Sequence, residues 1–338
     1  MPSQYVGIDL HRRRSVIVRK FADGSLAGPP ARIVNDPAEV ARVIAEAGPE
    51  PEVVLEATYG WYWLVDLLTD LGAVVHLAHP LGLSWGSRRR KDDVIDASDL
   101  VDMLRLGRLP EAWIAPPEIR HLRELVRYRA RLVELRTGLK NQVHAVLAKE
   151  GVAVDLSDLF GVAGTQLLRE VDLAEPYRIR VESVCGLLGV FDREVGSLDA
   201  DIHRRLSAHD GYRTVQQIPG VGRVIAAIFV AEIGDAGRFP SPRHLCSWAG
   251  LTPRHRESDR IVRRGPITKQ GSGLLRWAAV EAAQKLRAGT WLKSDFARIA
   301  AARGRPIARV AVARKILTLA YFGLRDGHIR SLATGEVA

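Results

Sequence analysis

The chain has almost no cysteine. Two thiols, Cys185 and Cys246, stand far apart among apolar neighbours in 338 residues, with no CxxC pair and no Cys/His ligand set. That makes a disulfide framework and a structural zinc site improbable, and the usage fits a reducing cytoplasm. Long apolar runs are missing too. No stretch reaches the roughly 18 residues needed to cross a bilayer, so no membrane association is expected. Met1-Pro2-Ser3-Gln4 leads straight into a strand-like run, so no signal peptide is expected either. No internal repeat and no low-complexity tract is visible.

Negative charge is the minority sign. Lys and Arg number 49 against 39 Asp and Glu, a formal net charge of +10. A balance this basic favours a polyanionic partner, because Lys and Arg gain free energy by displacing counterions from phosphates. The excess is uneven. From Arg254 to Arg330 eighteen Lys and Arg face five Asp and Glu, whereas Asp92 to Asp102 is an acidic cluster. One segment is suited to holding phosphates and another to holding cations.

Of the residues, 47% are hydrophobic and 26% charged, the composition of a soluble globular protein with room for two domains or one domain and a helical insertion. Strand and helix signals alternate over the first hundred. Tyr5–Leu10 is a short apolar run followed by the polar turn His11–Arg14, and Val16–Val18 resumes a strand. Gly24 and Gly28-Pro29-Pro30 mark turns. Helices are predicted at Pro37–Ala47 and Trp61–Leu71, and strands at Glu52–Glu56 and Ala73–Leu77. This pattern predicts an α/β layer around a central sheet.

Helical periodicity then dominates. Asp93–Leu106 reads as a helix. Leu122, Leu125, Leu132, Leu135, Leu139 and Val143 predict one long amphipathic helix from Pro117 to about Glu150, and a second block spans Pro176 to Ala208. Together they make a long helical coiled-coil arm or a plain helical hairpin. The last region opens at Ile218-Pro219-Gly220-Val221-Gly222 and continues in helix Val224–Glu232 and short helices to Trp248. A polar basic loop from Pro253 to Gly271 follows, then helices at Leu274–Leu286 and Val310–Phe322. The fold class is α/β plus α, with divisions at 1–115, 116–210 and 211–338.

Two groups of residues carry chemistry. Asp9 ends the first strand, Glu56 ends a later one, and Asp93 and Asp96 lie three apart on one face at a helix start. Four carboxylates in one place repel unless divalent cations lie between them, and hard oxygen ligands suit Mg2+ or Mn2+. A pair of such ions about 4 Å apart can stabilise the attacking and leaving oxygens of a phosphodiester. Taken singly, each is as well read as a turn former or a helix cap. Asp92 and Asp99 crowd the same helix, so spacing alone leaves the pair open.

The second group surrounds Ser258. Arg254, Arg256, Arg260, Arg263 and Arg264 flank it in sequence and provide the cationic setting a serine nucleophile needs at a phosphate. A solvated loop that only grips backbone phosphates explains the same residues. Gly220 and Gly222 resemble a helix-hairpin-helix turn, where backbone N–H groups approach a phosphate.

These motifs resemble those of the DEDD-type insertion-sequence transposases, the bridge-RNA-guided serine recombinases, over nearly the whole chain. Tyr5–Asp9 is similar to the family's first-strand motif, Leu55-Glu56-Ala57-Thr58 to its glutamate motif, and Lys91–Ala97 to its K-x-D-x-x-D-A motif. Ile218–Gly222, Glu232–Asp235, Arg238-Phe239 and Trp248–Pro253 are similar to its transposase domain. Glu257-Ser258 falls on the catalytic serine, and Gly265–Lys269 and Leu275-Arg276 on the segment that follows. Asp259 stands where the family often has glycine, and Ser272 where it has asparagine.

The resemblance implies a ribonuclease-H-like (RuvC-like) mixed sheet, metal ligands Asp9, Glu56, Asp93 and Asp96, and a mainly helical transposase domain carrying Ser258. It also implies a structured non-coding guide (bridge) RNA that pairs with donor and target double-stranded DNA, leaving sequence choice to base pairing. Ser258 would form a covalent phosphoserine link with DNA. A homo-oligomer, dimer or tetramer, would join carboxylates of one subunit to the serine of another. Arg254, Arg256, Arg263, Arg264, Lys269, Arg276, Gly220 and Gly222 are the expected nucleic-acid contacts, and the expected location is the cytoplasm, at the nucleoid. Two other readings share these residues: a metal-dependent junction nuclease that uses water, and an inactive nucleic-acid-binding relative.

Overall fold

Alternation along Tyr5–Leu10 sends Val6, Ile8 and Leu10 to one face of a strand and Gly7 and Asp9 to the other, and this split organises the first half of the molecule. The computed structural model describes residues 4–83, 92–258 and 261–333, except for the side chains of 256, 258, 261–264 and 333. The chain divides into two compact units, Met1–Ala115 and Pro116–Ala338.

The first unit holds a five-stranded sheet of β1 (Tyr5–Leu10), β2 (Arg14–Lys20), β3 (Ala31–Val34), β4 (Glu52–Glu56) and β5 (Val74–Ala78), in the order β3-β2-β1-β4-β5. β2 is antiparallel to β1 and β3, whereas β1, β4 and β5 run parallel. This mixed sheet is consistent with a ribonuclease-H-like domain. Helices α1 (Pro37–Ala45) and α2 (Trp61–Asp70) cover the face that carries Val6, Ile8, Val53 and Leu55. Helix α3 (Asp93–Arg105) covers the other, where Val54, Leu100 and Leu104 pack in one cluster and Val16, Val18 and Ala97 in another.

Asp36 starts α1 by accepting the N–H groups of Ala38 and Glu39, with Pro37 at the first position, where a missing N–H costs nothing. β3 is absent from the sequence reading, which takes the Gly24–Pro30 stretch only as turns. It is a short edge strand with one buried residue, Ile33, too little alternation to register. Arg14, expected in the turn, opens β2 instead.

The second unit is mainly helical. Its long helices α4 (Pro117–Lys149) and α6 (Glu175–Leu206) lie antiparallel, as the rungs Arg129–Asp199 and Arg136–Asp192 establish. Near one end Leu122, Val126, Ile202 and Leu206 join the main core. At the other, Val143, Val146 and Leu147 meet Val181, Val184 and Leu188 in a smaller core, closed by Leu159, Leu168 and Leu173 around α5 (Val162–Glu170). The shared core is why contacts group 116–338 together, where the sequence suggests a separate segment 116–210.

The main core is built around α8 (Arg223–Ile233), buried on every side from Ile225 to Ile233. Around it pack α7 (Asp210–Val215), α9 (Pro242–Trp248), α10 (Gly273–Gln284) and α12 (Arg305–Asp326). Helices α11 (Trp291–Arg303) and α13 (Arg330–Ala333) complete the unit. Between α9 and α10 the expected basic loop is instead an antiparallel hairpin of β6 (Pro253–Ser258) and β7 (Ile261–Ile267). Among the described residues no helix is long and apolar enough to cross a membrane.

Candidate active site

Asp9 and Glu56 each lie one residue beyond the paired Ile8 and Leu55, so Glu56 ends β4 and Asp9 is the last residue but one of the neighbouring parallel strand β1. Because Ile8 and Leu55 point toward α1 and α2, both carboxylates belong to the α3 face. α3 lies directly on that face. A Cβ built on Gly7 would sit 2.1 Å from the Ala97 carbonyl oxygen, so only glycine lets the helix approach β1 this closely. Farther along, the buried Lys20 ammonium bonds Asp102 at 2.6 Å and ties β2 to α3.

The start of α3 sorts its crowded aspartates. Asp92 is the N-cap, its carboxylate accepting the Val94 N–H at 3.0 Å. Asp93 and Asp96 lie in the first turn, and Asp96 is 5% exposed on the stripe with Ala97, Leu100 and Val101. Asp102 is engaged by Lys20 and Arg105. Asp92→Ala should therefore cost about 1 kcal/mol of stability, as lost caps do, yet keep divalent-metal binding. Asp93→Ala should cost little stability and weaken metal binding sharply. Calorimetric titration of the two variants with Mn2+ checks this, and the reverse ranking would refute the assignment.

Asp9 and Asp93 come together with a residue the sequence reading passed over. His11 Nε2 lies 3.1 Å from Asp9 Oδ2 and 3.5 Å from Asp93 Oδ1. The ligand atoms of Asp9, His11 and Asp93 all fall within 4.8 Å of one another. Glu56 and Asp96 do not belong to this group: Glu56 ends the strand paired beside β1, and Asp96 follows Asp93 by three residues on α3. His11 was legible in principle, since it stands two residues after Asp9, the spacing that returns a side chain to the same side of an extended chain. Carboxylates with one imidazole at this separation fit a divalent cation, and a DEDD domain implies one.

In the second unit, the Ser258 backbone ends β6 and pairs with Ile261. The side chains of Ser258, Arg256, Arg263 and Arg264 lie outside the described residues, as do Asp259, Arg260 and Lys91. Arg254 is exposed on β6. Lys269, also exposed, is held at a left-handed φ of 58°, a conformation that costs a non-glycine residue about 1 kcal/mol. Its N–H donates to the Gly250 carbonyl at 3.1 Å, below the hairpin.

Arg276 bonds the protein's own backbone. Its Nη1 donates to the carbonyls of Ala249 at 3.1 Å, Gly271 at 3.2 Å and Gln270, and partial burial lowers the guanidinium pKa from its ordinary value. It fixes the base of the hairpin. Gly220, at φ 86°, has a structural reason as well, because a Cβ there would meet the Ala282 carbonyl oxygen at 2.2 Å. Gly222 caps α8 with open space around it.

Two family models match the chain. A DEDD transposase model of the IS110 group matches residues 6–150, and the model described as "Transposase IS116/IS110/IS902 family" matches residues 212–297. The putative transposase y4qE of Sinorhizobium fredii is 29% identical over 200 residues, 59% of this chain and 49% of its own length. The chain thus spans about half of that relative. A probable family 20 transposase of Pseudomonas aeruginosa is 28% identical, over 69% of this chain and 70% of its own. The transposase for insertion sequence element IS1111A of Coxiella burnetii is 26% identical, over 78% and 74%. One matched model is of the DEDD class, and neither description names a serine recombinase. The two models describe one group and together cover more than half of the sequence, so the chain belongs to the IS110/IS116 family of insertion-sequence transposases.

Proposed function

We propose that this transposase carries out RNA-guided, site-specific DNA strand exchange through a covalent phosphoserine at Ser258. Asp9, Glu56, Asp93 and Asp96 hold the divalent metal, Mg2+ or Mn2+. The observation that carries the metal half is the convergence of two strand-end carboxylates and the first turn of α3 on one face of the sheet. The serine half is supported by the hairpin. Its register sets Arg256 opposite Arg263, and like charges directly opposed destabilise a strand pair. A phosphate backbone lying along the hairpin relieves that repulsion.

In this reading Ser258 Oγ forms a bond to a DNA phosphorus, the bond from phosphorus to one sugar oxygen breaks, and the serine proton leaves with that oxygen. The phosphodiester energy is retained in the serine ester, so a second strand's hydroxyl reverses the step without added fuel. Basic residues of the hairpin, Arg254, Arg256, Arg263 and Arg264, hold the phosphate, and Lys269 and the Gly222 N-cap extend the grip. Arg276 acts indirectly by bracing the hairpin's base. A bound divalent ion supplies charge for the phosphoryl oxygens. A structured non-coding RNA selects donor and target DNA by base pairing, and the antiparallel α4 and α6 are a coiled-coil arm through which copies form a dimer or tetramer.

The test is an adduct assay with the protein, the RNA flanking its element, a donor–target DNA pair and Mg2+. Wild type should yield a denaturation-resistant protein–DNA species, and both Ser258→Ala and Asp9→Ala should yield none. Strand cleavage by Ser258→Ala at the wild-type rate without an adduct favours the water-using junction nuclease. No cleavage by wild type favours the inactive binding relative.

A further inference from the structure

Among the side chains around the carboxylates, His11 has no task in the chemistry above. Its backbone is nevertheless fixed from two sides. The His11 N–H donates to the Arg14 carbonyl at 3.1 Å, closing the turn between β1 and β2. Its carbonyl accepts from Asn35 Nδ2 at 2.6 Å, and Asn35 Oδ1 in turn accepts the hydroxyl of Ser15, which is 1% exposed. The turn is thus anchored to a buried hydroxyl, and the imidazole it carries stands between Asp9 and Asp93.

An imidazole nitrogen among carboxylate oxygens changes which ion a site prefers. Mg2+ takes oxygen ligands, demands near-ideal octahedral geometry and gives up water reluctantly. Imidazole binds first-row transition metals far better. We propose that His11 is a nitrogen ligand completing the site of Asp9 and Asp93 and biasing it toward Mn2+ over Mg2+. This rests on the reading that those carboxylates hold a divalent ion. The competing role for the same geometry is an imidazolium that occupies the gap as a cation. In that case the ion displaces His11, and removing the ring tightens metal binding.

The two roles predict opposite results with the full-length protein. Mn2+ is titrated by electron paramagnetic resonance, nitrogen coupling to the bound ion is measured by a pulsed experiment, and Mg2+ is measured by competition. Wild-type protein should show nitrogen coupling that His11→Ala loses. The variant's Mn2+ affinity should fall about tenfold or more, the scale on which perturbing a metal-binding residue acts, with little change for Mg2+. His11→Gln, which keeps the size of the side chain and its backbone bonds, should behave like His11→Ala. Thermal unfolding at the wild-type midpoint confirms that both variants fold.

Bound Mn2+ without nitrogen coupling, coupling that persists in His11→Ala, or tighter binding by His11→Ala overturns the role of His11. As long as Asp9→Asn still abolishes binding, those results leave the carboxylate site standing. Mn2+ binding that is absent in wild type, or unchanged by Asp9→Asn, removes the carboxylate reading and His11's role with it.

Discussion

Valine in place of Gly7 should cost about 3 kcal/mol or more of stability, at or beyond the usual range for an overpacked core, and abolish divalent-metal binding. A Cβ at this position would lie 2.1 Å from the Ala97 carbonyl oxygen and 2.6 Å from Val101 Cγ2, both on α3. A backbone carbonyl cannot swing aside as the end of a flexible side chain can. β1 is hydrogen-bonded to β2 on one side and β4 on the other, so the sheet holds and the helix moves.

Displacing α3 breaks its contact with Val16 and Val18 and strains the bond between Lys20 and Asp102. It also carries Asp93 and Asp96 away from Asp9. Gly7→Ala should do the same to a lesser degree, because the first added carbon already clashes. Urea denaturation measures the first effect and Mn2+ titration the second. A Gly7→Val protein with wild-type midpoint and affinity would mean that α3 does not need this contact.

The second large effect belongs to Arg127. Its guanidinium holds the Glu232 carboxylate at two points, 2.7 and 2.9 Å, while Arg123, one turn earlier on α4, donates to the Ala231 and Glu232 carbonyls at the end of α8. Glu232 is 1% exposed. Burial pushes its pKa upward, but hydrogen bonds and charge from Arg127, with help from Ser272 and Arg123, outweigh it and leave the value below the ordinary one.

Arg127→Ala would strand that carboxylate. The expected cost is about 3 kcal/mol, the low end for breaking a buried pair, because Arg127 itself is half exposed to water. The double variant Arg127→Met/Glu232→Leu should recover most of the loss, since apolar residues of similar volume often replace a buried pair without penalty.

The sign of the pH dependence follows from the lowered pKa. The stability contributed by Glu232 is complete above its unfolded value near 4.5 and is lost as pH falls through the lower folded one. The difference between wild type and Arg127→Ala should therefore be full at pH 7 and shrink in strong acid. Denaturant midpoints measured at both pH values test this, and an equal gap at each would show that the charge is not what stabilises the contact. The consequence reaches the hairpin: Glu232 bonds Ser272, Ser272 caps α10, and α10 carries Arg276 to the hairpin's base.

Much of the first unit is readable along the chain. Tyr5–Leu10 and Glu52–Glu56 are the observed strands, and α3 begins at Asp93 as expected. Each is marked by a local pattern of apolar alternation or a capping aspartate. The long helices α4 and α6 follow from their periodicity for the same reason. The hairpin of β6 and β7 escaped notice because Pro253–Ser258 is polar on both faces and shows no alternation. Local preference alone would not make it a strand; pairing with Ile261–Ile267 does.

The sequence by itself determined the order of the carboxylates, the basic second half, most of the strands of the first unit, the long helices and the family resemblance, because composition and periodicity are properties of neighbouring residues. Only the tertiary structure decided that Asp92 caps while Asp93 faces Asp9, that His11 stands between them, and that Arg276 braces backbone. Those outcomes depend on which groups meet across the fold. A side chain's partners come from segments far apart in sequence, and its identity alone does not say which donors or acceptors folding brings within bonding distance.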